Sequence, residues 1–315
     1  PIVESILVGV LFALLYYLVG IMELPSNQVI SVVSIYAFVA LRSLPGISRI
    51  STSINQVKFG HRTIKHVIDA GMYVGDRDAE NLCHYQYDGK LDSLEIEGLG
   101  FSYSESATVF KNVNVVIPSG SRVGLVGESG SGKSTLVSIL IGLQAASVGK
   151  VVYHVGNTVC SPNQFLSKVG YVPQDVYVIN ASLAENIAIG VPLAEIDCDY
   201  VSFLCHQLLL DKILQGNSPL DVILNARSTD ISGGQRARIG LARALYRKPE
   251  VLILDEITSS LDSNTSKIVL KNMFDVLPDR AITIMNAHKV EDLETFHMVY
   301  CVQDFDIVPV DKSLI

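Results

Sequence analysis

Residues 122–136, RVGLVGESGSGKSTL, pass from a short apolar run, Val123–Val126, through a glycine-rich break into a helix-compatible apolar segment, Leu136–Leu143. The break, Gly127-Glu128-Ser129-Gly130-Ser131-Gly132-Lys133-Ser134, fits the spacing G-x-x-x-x-G-K-[ST] in a strand–loop–helix setting. Gly127, Gly130 and Gly132 allow the backbone to curl so that its N–H groups point inward at phosphate oxygens. The helix that follows adds its positive N-terminal end. Lys133 is then placed over the β- and γ-phosphates, and the Ser134 hydroxyl on Mg2+.

Outward from this loop, other apolar runs suit buried parallel strands: Val169–Val172, Val251–Leu254 and Ala281–Met285. Helix-like segments, Ile187–Ile213 and Gln235–Tyr246, alternate with them. Leu94–Tyr103 and Val113–Ile117 read as strands by their alternation. An α/β layered domain follows, with a helical insertion over about residues 183–247. Val251–Leu254 runs into Asp255-Glu256. Beside a phosphate loop, the first carboxylate holds Mg2+ through water and the second polarises the attacking water. Ser232-Gly233-Gly234-Gln235 opens a helix, with Ser232 as its N-cap and the glycines exposing N–H groups that can grip phosphate.

The totals fit a domain of this kind joined to membrane spans. Of 315 residues, 18% are charged, below the roughly 25% of an ordinary soluble domain, and 49% are apolar. A net charge of −8 disfavours a general nucleic-acid binder. Cys83, Cys160, Cys198, Cys205 and Cys301 are scattered, without C-x-x-C, and read as reduced cytosolic thiols. Cys198, Cys205 and His206 do not have the spacing of a common zinc site.

Ile2–Met22 holds one charge, Glu4, and is long enough to cross a bilayer, which takes about 20 residues. It lacks the basic start and cleavage site of a signal peptide. Glu23–Gln28 follows as a polar turn. A second span runs from about Val29 to Ile47 and is prolonged as a helix toward Ala70; two buried helices of a soluble protein are the rival reading. Arg49, Lys58, Arg62 and Lys65 follow the second span, whereas the turn carries no Lys or Arg, so everything past about Arg49 is expected in the cytosol. Arg42, inside the second span, either faces a polar cavity or a partner, or snorkels to the interface. Residues 71–92 lose the periodicity and read as a linker. The chain begins at Pro1 inside an apolar run, and upstream sequence is expected to be missing.

These motifs, in this order, resemble an ATP-binding cassette (ABC) transporter of the exporter type. The resemblance covers Ile2 to about Val308. It implies an α/β P-loop NTPase fold, an ABC nucleotide-binding domain with a helical subdomain, preceded by all-α transmembrane helices. The implied division is residues 1–70 for the last two membrane helices, 71–92 for the linker and 93–315 for the cassette. It implies an ATPase that takes ATP and Mg2+, with ATP held by Tyr103, by Gly127 through Thr135 (Glu128, Ser129, Gly130, Ser131, Gly132, Lys133 and Ser134 included), and by Ser232, Gly233, Gly234 and Gln235 of a second copy. Ser134, Gln174 and Asp255 would serve the metal; Glu256, His288 and Gln174 the hydrolysis; Asp262 the loop at the dimer interface. The implied setting is the inner membrane, multi-pass, with the cassette cytoplasmic. Membrane lipid and a transported substrate would be the other partners, with no nucleic acid.

Four places depart from the family pattern. Ile231 stands for the usual Leu, and Ala237 where a polar residue is common. Asn225-Ala226-Arg227-Ser228 stands where exporters carry Gly-Glu-x-Gly, which puts details of coupling in doubt. Lys289-Val290 follows His288 where Arg-Leu is usual. The run Val29–Asp69, with Arg42, Pro45, Arg49 and Ile50–Ser53, resembles bacterial flippases for lipid-linked oligosaccharides, in which Arg42 would attract a pyrophosphate head group. Other exporters of drugs, peptides or lipids, a soluble cassette ATPase acting on nucleic acid or ribosomes, and a regulatory cassette without turnover are the alternatives.

Overall fold

The computed structural model describes residues 9–10, 12–13, 16–17, 26–75, 89–104, 107–225, 231–287 and 290–311. The chain divides into two units, Pro1–Glu80 and Asn81–Ile315. The first holds α1, Ser26–Gly75, one helix of 50 residues that continues through Pro45. Ser26-Asn27-Gln28, expected in a turn, form its first turn instead; the preceding proline favours a helix start there. Among the described residues no helix is long and apolar enough to cross a membrane. The run Ile2–Met22 lies mostly outside the described residues. Along α1, Ile30, Ile35, Phe38, Val57 and Phe59 are exposed within the single chain. The helix ends at Gly75 and the next strand starts at Leu91, both inside the stretch read as a linker; residues 76–88 lie outside the described residues.

The second unit opens with β1 (Leu91–Ser102), β2 (Thr108–Pro118) and β3 (Arg122–Val126), followed by α2 (Lys133–Leu140). Then come β4 (Val148–Val155), β5 (Thr158–Cys160), β6 (Val169–Val172) and β7 (Ala181–Ser182). After α3 (Cys198–Gln207) and β8 (Ile223–Leu224) the chain forms α4 (Gly233–Tyr246), β9 (Val251–Asp255), α5 (Ser263–Val276), β10 (Ile282–Asn286), β11 (Met298–Gln303) and β12 (Asp306–Pro309). One sheet is antiparallel, in the order β2-β1-β4-β5. The other runs β12-β11-β3-β10-β9-β6, parallel from β11 to β6. β7 and β8 pair separately.

The apolar strands of the parallel sheet are buried on both faces, so alternate residues feed two cores. In β9, Leu252 and Leu254 join the core shared with α3, α4 and α5. Val251 and Ile253 join the core shared with α2 and the antiparallel sheet. This is why the run reads as continuously hydrophobic rather than alternating. α2 is fixed at its far end as well, where the buried Tyr153 hydroxyl donates to Leu140 O at 2.8 Å and its ring stacks on Phe165.

Two helical expectations shift. The helix expected over Ile187–Ile213 is broken into Leu183–Ile187, α3 and Asp211–Leu214. Gly190, in the left-handed region at φ 83°, and Pro192 interrupt it, and the Asp197 carboxylate starts α3 afresh by accepting from Tyr200 N–H at 2.9 Å. α2 begins at Lys133 rather than Leu136 and stops before Gly142, which takes φ 74°.

Candidate functional site

Parallel strands end on the same side of a sheet, and ligands gather at those carboxyl ends. Here β6, β9, β10 and β3 are neighbours in that order. Val172 is in register with Leu254, and Asn286 with both Asp255 and Leu125. The strand ends therefore deliver Gln174, the pair Asp255-Glu256, Asn286 and the loop beginning at Gly127 to one edge.

The loop is tightly folded. Gly127, Gly130 and Gly132 adopt φ of 149°, 82° and 111°. A Cβ on Gly127 would sit 2.6 Å from Val302 O, and one on Gly132 would sit 2.5 Å from the Val109 side chain. A Cβ on Gly130 would meet nothing, so that glycine is demanded by its dihedral angle alone. Lys133 is only 5% exposed, and its ammonium donates to Gly127 O at 2.7 Å and Glu128 O at 2.9 Å. Ser131 Oγ is buried with no hydrogen-bond partner among the described residues.

A cleft of about 320 Å³ opens over the loop, lined by Tyr103, Ser129, Gly130, Lys133, Ser134, Thr135 and Glu256 among others. The Tyr103 hydroxyl lies 3.1 Å from Thr135 Oγ1, and its ring meets Phe101 edge to face at 4.9 Å. Tyr103 is 60% exposed, and its ring offers a flat apolar surface beside the loop that a base could cover. Glu256 is held by its backbone: φ is 53°, its N–H donates to Asn286 O at 3.1 Å, and its own carbonyl accepts from Ser259 Oγ at 2.8 Å. Asp255 is buried and accepts from Asn286 Nδ2 at 2.7 Å. Burial, and then the charge of the neighbouring Asp255, raise the Tyr171 phenol above its ordinary range.

These residues suit a triphosphate with a divalent cation. The three positive-φ glycines, the lysine held across the loop and a Ser131 hydroxyl with no hydrogen-bond partner among the described residues suit an anion cradle. The exposed Ser134 hydroxyl and the oxygen donors of Asp255 and Glu256 are the hard ligands that Mg2+ prefers.

The other expected residues are distributed differently. Gln174 is exposed just past β6 and does not line the cleft. His288 lies outside the described residues, as do Ala226–Ser228. None of Ser232–Gln235 lines the cleft; Gln235 borders a separate one with Ile213, Asn225 and Ile231. Ser232 caps α4 with a reciprocal box, Ser232 N–H donating to Gln235 Oε1 at 2.8 Å and Gln235 N–H to Ser232 Oγ at 3.2 Å. Gly234 has a packing reason besides phosphate: a Cβ there would stand 2.9 Å from Ser260 O and 2.8 Å from the Leu261 side chain. Asp262 caps α5, accepting from Thr265 N–H at 3.0 Å, and those hydrogen bonds hold its carboxyl below the usual range. Cys205 is a core residue whose thiol burial, and then Asp211, pushes up to about 12.

Two arginines escaped the sequence reading. Arg238 donates to Gly234 O at 3.0 Å and to Leu208 and Leu209 carbonyls, and burial lowers its pKa. Arg243 donates to Asn186 O at 2.9 Å and Tyr177 O at 3.0 Å. Both lock α4 to the loops around it. Their only sequence signal is the recurrence of Arg on a helix that is otherwise small and apolar.

The family model described as ABC transporter matches residues 110–259. The leukotoxin translocation ATP-binding protein LktB of Pasteurella haemolytica-like sp. (strain 5943B) is 34% identical over 238 residues, 72% of this chain and 33% of that protein. LktB of Mannheimia glucosida is 34% identical over 236 residues, with the same coverage. The chain thus spans about a third of the length of the curated relatives it matches. Among solved structures, a bacterial Atm1-family ABC exporter with ATP bound aligns with a TM-score of 0.62 at 23% identity, covering 79% of this chain and 45% of that one, a likeness of fold.

Proposed function

We propose a function from one premise: this chain belongs to the ABC transporter family and carries its ATP-binding cassette, the ATPase domain that takes ATP with Mg2+. The reading is an ATP-driven membrane exporter or flippase, working as a pair of chains. The observation that carries it is the division of the site. The phosphate loop, Tyr103 and Glu256 share one cleft, while Ser232–Gln235, with its helix N-terminus, stands outside it. A second copy supplies Ser232–Gln235 across the interface and closes the nucleotide in.

In that closed pair Tyr103 stacks on the base, and the loop N–H groups and Lys133 hold the phosphates. Ser134 and Asp255 would hold the metal, which would neutralise charge on the phosphates. Glu256 orients and polarises the attacking water, and His288 steadies the γ-phosphate. Because each site needs two chains, ATP turnover per chain is expected to rise with chain concentration until pairing saturates. A specific rate that stays constant down to concentrations where the chain is monomeric by light scattering would overturn the paired site.

The membrane part rests on α1 and on the apolar run before it. The spanning stretch in this reading is the apolar run Ile2–Met22; α1, at about 1.5 Å per residue, extends about 75 Å but is not by itself apolar enough to cross the roughly 30 Å hydrocarbon core. Exposed Ile30, Ile35 and Phe38 call for lipid or neighbouring helices, and an internal proline is tolerated where neighbours re-satisfy the freed carbonyl. The N-terminal unit then lies in the inner membrane and the cassette faces the cytoplasm.

For the substrate, Arg42 is the distinguishing residue: an exposed cation on an otherwise apolar stretch of α1. It supports an anionic lipid-linked oligosaccharide. Arg42→Ala in the full-length protein reconstituted in liposomes is expected to slow translocation of a pyrophosphate-linked lipid at least fivefold while leaving basal ATPase within twofold, as loss of one charged contact worth about 1 kcal/mol or more would do. Equal loss of both activities would argue against a substrate role. The likeness to LktB, named for leukotoxin translocation, favours export of a toxin as the second reading.

A further inference from the structure

β10 is a core strand, with Ile282, Ile284 and Met285 buried, yet it ends in an amide. Asn286 is 1% exposed, and a polar side chain at that depth is costly unless it serves a partner. It serves one. Asn286 Nδ2 donates to Asp255 Oδ1 at 2.7 Å, across the register pair that joins β10 to β9. In this contact the amide nitrogen donates and the carboxylate oxygen accepts. Asn286 Oδ1 then meets no donor among the described residues. The amide therefore fits Asp255 and leaves its own acceptor unsatisfied. The same residue reaches the second carboxylate through its backbone, where Asn286 O accepts from Glu256 N–H at 3.1 Å.

We infer that Asn286 is the positioning residue of the acidic pair: it holds the Asp255 carboxylate in one orientation before Mg2+·ATP arrives. The inference rests on the ATPase reading given above. An unclamped Asp255 would swing among rotamers, and the metal would have to order it at the moment of binding. Partners of this kind, behind a metal-facing group, change metal affinity by about 10–100-fold when removed.

The test compares Asn286→Thr with Asn286→Val in the full chain. The two side chains have nearly the same shape and both suit a strand; only the first keeps a hydroxyl donor for Asp255. A fluorescent ATP analogue is titrated into each protein in EDTA and again in Mg2+. The factor by which Mg2+ tightens binding is the readout, with the thermal midpoint recorded alongside. In EDTA all proteins are expected to bind alike. In Mg2+, wild type and N286T gain similarly, and N286V loses about tenfold of that gain. An equal gain in N286V and N286T overturns the inference, as does a loss in N286V of the same size in EDTA, which marks general damage to the fold. Should N286V not fold, N286A takes its place in the same comparison. A wild-type chain that binds no nucleotide in either condition overturns the ATPase reading itself, and the positioning role with it.

Discussion

Glu256→Gln is expected to hydrolyse ATP about 10²–10⁴-fold more slowly than wild type, the range that a positioned general base contributes, and to accumulate as an ATP-bound pair of chains. The reason lies in how the residue is held. Glu256 lines the cleft, and its backbone is fixed in the left-handed region by hydrogen bonds to Asn286 O and from Ser259. Glutamine keeps the length and shape of the side chain, so nucleotide binding and the backbone arrangement persist. What disappears is the charge that polarises water. Losing one negative charge beside a triphosphate also relieves repulsion, which favours the bound, closed pair over the open one. Single-turnover hydrolysis and size-exclusion chromatography in ATP measure the two effects separately. A variant that turns over at the wild-type rate, or that stays monomeric at saturating ATP, would count against the assignment.

Lys133→Ala is expected to fail earlier, at binding. The ammonium is nearly buried and already directed across the loop by the carbonyls of Gly127 and Glu128. A phosphate entering the loop exchanges those neutral acceptors for charged ones, and a charge-assisted hydrogen bond contributes about 1.5–3 kcal/mol. At about 1.4 kcal/mol per factor of ten, affinity should fall roughly 10–150-fold. Equilibrium titration with a fluorescent nucleotide reads this directly, without turnover. Unchanged affinity would refute the role of Lys133. The two variants separate cleanly: the first binds and does not cleave, the second does not bind well enough to cleave.

The loop was readable because its chemistry is local. Three glycines, a lysine and a serine within eight residues are enough to make an anion cradle, and the structure adds only the reasons each glycine is needed. Capping was local too: Ser232 bonds within three residues of itself. Where the sequence misled, a local signal was overruled by neighbours. The apolar tract after Ile187 suggested one long helix, but Gly190 and Pro192 divide it so that its pieces can pack on α4 from different directions. The glycines of Ser232–Gln235 suggested phosphate contact, yet Gly234 also has to admit Ser260 and Leu261.

By itself, then, the sequence determined that a strand, a phosphate-binding loop and a helix follow one another, that two carboxylates end a buried strand, and that the family is that of ATP-binding cassettes. These depend on backbone conformations and spacings set by adjacent residues. The tertiary structure alone decided that β3 lies between β10 and β11, and that Asn286 reaches Asp255 from 31 residues away. It alone also decided that Arg238 and Arg243 tie α4 to distant carbonyls, and that Ser232–Gln235 do not line the cleft over the phosphate loop. Strand order follows from burying both faces of a sheet at once, a condition on the whole chain that no short window of residues contains.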